Sequence, residues 1–275
     1  MVSTKIMRVR AQDLLRRTGT LGLAERVRFR AKVRATRANN EVFQRHNPGF
    51  AVPPESLAFD AYSAPDWAFY HESGLGTAGF LAGLAHEYCR PTGAWLNVYE
   101  WGCGPGRVIR HMPSTLGADA RIFGSDYNAD TISWCSRHLP GITFATNGLQ
   151  PPLPYEDDSF HFAYSISVFT HLAEATGLSW TTELHRVMKP GGILVVTTSG
   201  DSAFESEMLP RERDEYVRTG VVVRGDYAEG KKMFLTRHSP AYVRTKLLAK
   251  FDIVEHRPAA FPFIAQDYWV ARKPT

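Results

Sequence analysis

The residues best placed to do chemistry are a carboxylate and three glycines at alternate positions. In Val98-Tyr99-Glu100-Trp101-Gly102-Cys103-Gly104-Pro105-Gly106-Arg107, a strand-like run passes into a glycine-rich turn. Glycines allow a sharp reversal and let a ligand lie against bare backbone. A helix starting at position 107 would offer free N–H groups and the positive end of its dipole to a carboxylate or phosphate. The dinucleotide pattern G-x-G-x-x-G would place its third glycine at 107 in this register. Position 107 is Arg, and the third glycine is Gly106. Glu100 just before the turn would repel a diphosphate and attract an ammonium group.

A ligand carrying both an amino group and a carboxylate suits this loop, and S-adenosylmethionine (SAM) carries both. Gly124-Ser125-Asp126-Tyr127-Asn128 ends a second strand-like run. A carboxylate at Asp126 can accept hydrogen bonds from both hydroxyls of a ribose, a role shared by NAD and SAM sites. In Thr146-Asn147-Gly148-Leu149, the Asn147 amide could meet the exocyclic amine of adenine, or serve as a left-handed turn residue before Gly148. Ser165 and His171 lie beyond a fourth strand. His171 could deprotonate a substrate hydroxyl, since its ordinary pKa is near neutrality; equally, it could start the next helix and order the pocket wall. Tyr62, Trp67, Tyr70 and His71 form an aromatic cluster suited either to core packing or to a lid over a sulfonium cation. His161 and His185 read as structural or solvent-facing. No carboxylate cluster calls for a metal. Cys89, Cys103 and Cys135 lack CxxC spacing and fit a reducing cytoplasm.

These residues need an alternating scaffold. Strand-like runs are expected at 96–101, 120–125, 142–145, 160–168, 192–198, 251–255 and 264–271. Helical spacing covers 77–88, 107–116, 129–138 and 172–188. Such alternation builds a doubly wound sheet with right-handed crossovers. Pro48, Pro53, Pro54 and Pro65 predict irregular structure over 41–94 apart from the helix at 77–88. Ser239-Pro240 predicts a capped helix start.

On these residues, the run from Glu100 to Gly192 resembles the class I SAM-dependent methyltransferase superfamily. EWGCGPGR is similar to its first motif and SDYN to its acidic second-strand motif. LPYEDDSFHFAYSISVFTHL and ELHRVMKPGGILVVTT resemble the segments around the fourth and fifth strands. AQDYWVARKP resembles the last strand of many bacterial members. The resemblance does not reach residues 1–60. It implies a Rossmann-like α/β fold with a seven-stranded sheet of order 3-2-1-4-5-7-6, last strand antiparallel, and a helical N-terminal extension. It implies SAM as cofactor, held by Glu100, Gly102, Cys103, Gly104, Gly106, Arg107, Asp126, Tyr127, Asn128, Asn147, Gly148, Leu149 and Ser165. Asn147 departs from the Asp often found there. The implied reaction is methyl transfer to an oxygen or nitrogen of a small molecule, a sugar or a lipid-linked acceptor, with His171 as candidate base. A nucleotide-cofactor oxidoreductase and a non-catalytic SAM-binding module are the alternatives.

The expected division is a basic helical arm and cap over 1–94 and a SAM-binding domain over 95–275. Residues 200–238, charged and carrying Gly220, Gly225 and Gly230, read as an insertion that either closes over the acceptor together with residues 60–75 or serves as a surface elaboration or dimer contact. The net charge of +4 is concentrated in residues 1–40, where eleven Lys or Arg face only Asp13 and Glu25. That arm, broken near Thr18-Gly19-Thr20, suits a solvated face or a surface for phosphate-bearing lipid or glycan, with peripheral membrane contact. No nucleic-acid motif accompanies it, and oligomerisation is left open. No apolar run approaches the roughly 20 residues that span a bilayer, and the N-terminus lacks the apolar core of a signal peptide.

Overall fold

The computed structural model describes residues 2–89 and 95–275. Its strands are β1 (Leu96–Trp101), β2 (Ala120–Asp126), β3 (Ile142–Thr146), β4 (Phe160–Ser165), β5 (Met188–Thr198), β6 (Val221–Arg224), β7 (Leu235–His238), β8 (Asp252–Arg257) and β9 (Asp267–Arg272). Seven form one sheet in the order β3-β2-β1-β4-β5-β9-β8, while β6 and β7 pair as a separate hairpin. β9 runs antiparallel to both β5 and β8. With the hairpin set aside, this is the expected Rossmann-like 3-2-1-4-5-7-6 order.

The helices are α1 (Val2–Arg17), α2 (Leu21–His46), α3 (Glu55–Tyr62), α4 (Trp67–Tyr88), α5 (Met112–Leu116), α6 (Ala129–His138), α7 (Glu174–Val187), α8 (Phe204–Glu207), α9 (Pro210–Thr219) and α10 (Pro240–Tyr242). Period-two alternation along the central strands sends side chains to two separate cores. Tyr99, Trp101, Leu194, Val196 and Trp269 pack with Trp180, Leu184 and Val187 of α7. Val98, Ile122, Phe162, Val195 and Val270 pack with Ala78, Leu81 and Ala85 of α4. α4 therefore belongs to the packing of the sheet, and the core of the described residues runs across the expected 94/95 division.

Three local expectations are corrected. The 107–116 helix is reduced to a 3-10 turn, Ile109–His111, followed by the five residues of α5. Pro113 supplies no N–H, and its ring crowds the carbonyl one turn back. Residues 41–76 are largely helical, because the prolines fall between helices and Pro54 sits at the N-cap of α3. α4 starts ten residues earlier than the periodicity indicated, where the Asp66 side chain accepts from the Phe69 N–H at 3.1 Å. The break at Thr18-Gly19-Thr20 and the Ser239 cap before Pro240 stand where the sequence puts them.

Candidate cofactor and acceptor site

The carboxyl ends of β1, β2 and β4 converge on one cavity of about 840 Å³. The glycine turn is tied to the next strand by backbone. Gly102 and Cys103 both donate to the Ser125 carbonyl, at 2.8 and 2.9 Å. Asp126 then fastens the turn from its side chain: Gly104 N donates to Oδ2 at 3.0 Å and Asn128 N to Oδ1 at 2.8 Å. Burial pushes the Asp126 carboxyl above its ordinary value, against those two backbone donors. Each oxygen retains further acceptor capacity, and Asp126 lines the cavity.

Glu100 is buried at the end of β1 and accepts from the Tyr164 hydroxyl at 2.9 Å. Burial raises its carboxyl to about 8, although the Tyr164 bond and the Arg107 charge pull the other way. A ligand ammonium beside it would favour the ionised form. Arg107 is buried as well. Its Nη1 donates to Ser73 at 3.1 Å, its guanidinium lies 5.2 Å from the Tyr62 ring centroid, and its Nε has no partner among the described residues. Asn147 donates from Nδ2 to the Gly148 carbonyl at 2.6 Å and leaves Oδ1 buried without a donor. A buried acceptor left open costs about 1–3 kcal/mol. An exocyclic amine of adenine is a donor of the kind it lacks. A buried acid, a buried cation and an orphaned amide oxygen around one glycine turn fit the functional groups of SAM.

Of the residues assigned to the cofactor, Glu100, Gly102, Cys103, Gly104, Arg107, Asp126, Tyr127, Asn128, Asn147, Gly148 and Leu149 line this cavity. Two do not. A Cβ on Gly106 would meet Leu139 Cδ1 at 2.4 Å and Cys135 Sγ at 3.5 Å, so that glycine serves the approach of α6. Ser165 is buried in β4, in register with Val196 of β5, and lies outside the lining. Asn128 has a second duty, because its side-chain oxygen accepts from Asp130 N and Thr131 N as the cap of α6.

His171 lines the same cavity. Its ring is oriented by Nδ1, which lies 2.8 Å from the Phe234 carbonyl. Only the Nδ1–H tautomer can donate to a carbonyl, and this leaves the Nε2 lone pair free. Burial lowers the imidazole below its ordinary pKa, so it is neutral near pH 7. In the aromatic cluster, Tyr62 reaches the cavity, whereas Trp67 and Tyr70 are core and His71 packs against Phe50 and His111.

The insertion divides in two. Ala203, Met208, Tyr216 and Val222 make a small core of their own with Phe204 packed against it, so they do not form the acceptor pocket. Tyr227, Gly230, Lys231, Lys232 and Met233 do line the cavity. They act as a strap. Gly230 N donates to the His171 carbonyl at 2.9 Å, and the Tyr127 hydroxyl donates to the Gly230 carbonyl at 3.1 Å. From the other side, Lys232 donates to the Phe59 carbonyl at 2.9 Å and pairs with Glu25 at 3.3 Å. Sequence reasoning missed Phe29, Phe59 and Lys232, because no motif marks a wall assembled from α2, α3 and a distant loop. Hydrogen exchange should slow over 227–234 when acceptor and S-adenosylhomocysteine are both bound. Flat exchange there, with slowing only at Glu100 and Asp126, would reject a strap that closes on ligand.

Residues 98–192 match the family model described as "Methyltransferase domain". Sterol 24-C-methyltransferase of Schizosaccharomyces pombe is 28% identical over 122 residues, covering 42% of this chain and 31% of the relative. The 24-methylenesterol C-methyltransferase 2 of Arabidopsis thaliana is 28% identical over 189 residues, covering 64% of this chain and 46% of the relative. The chain thus spans less than half the length of these curated relatives. A crystal structure of a SAM-dependent methyltransferase from Methanosarcina mazei superposes with a TM-score of 0.52 at 19% identity, covering 70% of this chain and 97% of that one. That likeness concerns the fold.

Proposed function

We propose that this chain, a member of the class I SAM-dependent methyltransferase superfamily, transfers a methyl group to an oxygen or nitrogen of an acceptor with substantial apolar surface. The observation carrying this reading is the convergence of Glu100, Arg107, Asp126, Asn147 and His171 on one cavity. Asp126 would hold the ribose hydroxyls, Asn147 Oδ1 the adenine amine, and Glu100 with Arg107 the amino-acid end. Bound SAM supplies an electrophilic methyl group on a sulfonium. The protein's task is then positioning, and removal of the acceptor proton where the acceptor is a hydroxyl. His171 suits the second task, with Nδ1 fixed by the Phe234 carbonyl and Nε2 open. Phe29, Phe59, Phe69, Met233, Phe263 and Ile264 supply apolar wall for the acceptor. The dinucleotide alternative is disfavoured: no sustained helix follows the turn to hold a diphosphate at its N-terminus. Calorimetric titration with SAM and with NAD separates the two readings, and a methyl-transfer assay with mass spectrometry of products identifies the acceptor.

The His171→Ala variant should bind SAM as the parent does and lose kcat on the order of 10²–10⁴-fold, the usual scale of general-base catalysis. The pH profile follows from the lowered pKa. Protonation removes the base, so the acid limb of kcat should lie below the ordinary histidine range and vanish in the variant. An unchanged kcat, or an acid limb that survives His171→Ala, would remove the residue from this role.

A further inference from the structure

The N-terminal helices α1 and α2 carry an exposed surface beyond the part of α2 that lines the cavity. α1 and α2 pack one face inward. Val9 and Leu21 are buried there, and Arg16 donates to the carbonyls of Arg224 and Met233. The two carboxylates among residues 1–40 also turn in: Asp13 pairs with Arg17 and Arg211, and Glu25 with Arg28 and Lys232. The outward face keeps the remaining charge and an unusual apolar content. Met7 is 65% exposed, Leu14 62%, Leu23 65% and Val27 60%. At helical period, Met7, Ala11 and Leu14 align along α1, with Arg10 and Arg17 on one flank and Arg8 on the other. On α2, Leu23, Val27, Arg30 and Arg34 align, with Arg26 and Arg37 beside them. Among the described residues, Arg8, Arg10, Arg26, Arg30 and Arg34 have no ion-pair partner.

We propose that these exposed stripes of α1 and α2 dock on an anionic lipid bilayer. Solvation accounts for exposed arginines, but it gives no reason to alternate them with exposed Met, Leu and Val. A headgroup layer satisfies both, with phosphates for the guanidiniums and the acyl boundary for the apolar side chains. Single-stranded nucleic acid would be met by aromatic rings, and this face presents none. Among the described residues no helix is long and apolar enough to cross a membrane, so the proposed contact is one in which the helices lie along the headgroup layer. Its position matters for the cavity. Gly22 and Arg26 of α2 are exposed and belong to the cavity lining, adjacent in sequence to Leu23 and Val27. The docking face therefore adjoins the cavity lining along α2. The consequence that the acceptor is itself a membrane lipid rests on the methyltransferase reading; the docking does not.

Cosedimentation tests the docking without any assay of activity. The full chain should pellet with vesicles of phosphatidylcholine plus phosphatidylglycerol, but not with phosphatidylcholine alone, and the binding should weaken with salt. Arg30→Ala/Arg34→Ala should lower the vesicle partition about thirtyfold, at the scale of about fivefold per arginine near an anionic surface. Leu23→Asp/Val27→Asp should lower it roughly tenfold or more. Thermal melting of each variant should match the parent, since these side chains point outward. Absence of vesicle binding by the parent overturns the proposal. So does loss in the arginine variant but not the apolar one, with duplex DNA bound as tightly as vesicles, because the face would then be a general polyanion site. If docking holds while SAM fails to bind in calorimetry, the docking survives and the methyltransferase reading falls.

Discussion

The Asp126→Ala variant should stay folded and bind SAM at least about a hundredfold more weakly. Two contributions add. On the proposed reading the carboxylate accepts from two ribose hydroxyls, and hydrogen bonds to a charged group are each worth about 1.5–3 kcal/mol. The lower bound for the pair already exceeds two decades in affinity. The second contribution is organisation of the site. Oδ2 and Oδ1 of Asp126 hold the backbone N–H groups of Gly104 and Asn128 at 3.0 and 2.8 Å. Without them the glycine turn is fastened to β2 only through the Gly102 and Cys103 bonds to Ser125. Both effects weaken the ligand and neither touches the two sheet cores, so the variant should still melt cooperatively. Calorimetric titration alongside circular dichroism gives the answer. A folded variant with parental SAM affinity would mean that Asp126 only ties the turn and that the ribose is held elsewhere.

How much of this was readable in advance divides along physical lines. The alternation of strands and helices followed from features that are local in sequence, and the sheet order from the family resemblance. The second half of β5, from Ile193 to Thr198, is an apolar, β-branched run that suits a strand buried on both faces, and the glycine turn sits between a strand and the chain that leads to α5. The eleven cavity-lining members of the assigned set lie at strand ends that the alternation already fixed. What failed depended on packing between distant segments. Gly106 carries the same glycine signal as Gly102 and Gly104, yet its α-carbon faces Leu139 and Cys135 of the α6 region. The helix at 107–116 was overruled by Pro113, a breaker whose effect the apolar spacing masks. Phe204, Met208 and Tyr216 looked like acceptor wall by composition, but they close their own small core. The strap at 227–233 became specific only when Lys232 was seen against Glu25 and Phe59, more than 170 residues away in sequence.

Replacing Gly104 by valine should abolish detectable SAM binding while leaving the sheet intact. Gly104 has φ of +51°, in the left-handed region where a β-branched side chain is a genuine outlier. A non-glycine residue held there costs about 1–3 kcal/mol. Space is equally restrictive. A Cβ at this position would lie 3.1 Å from the Tyr62 hydroxyl and 3.6 Å from Ala61 Cβ, and the two γ-carbons of valine would extend further into the cavity. Tyr62 cannot yield without cost, because its ring faces the Arg107 guanidinium and packs at 5.9 Å on the Tyr70 ring. Any shift of the strained turn also disturbs the Gly104 N–H bond to Asp126 Oδ2. The damage stays on one side of the molecule, since Ala61 and Tyr62 belong to α3 and not to either sheet core. The variant should therefore show parental far-ultraviolet circular dichroism and a cooperative melt, lowered by several degrees at roughly 2–4 °C per kcal/mol. Gly104→Ala grades the effect: it keeps the backbone strain and the 3.1 Å contact but lacks the γ-carbons, so its SAM affinity should fall to a weak, measurable value. Normal SAM affinity in the valine variant would show that the bound cofactor does not lie against this turn.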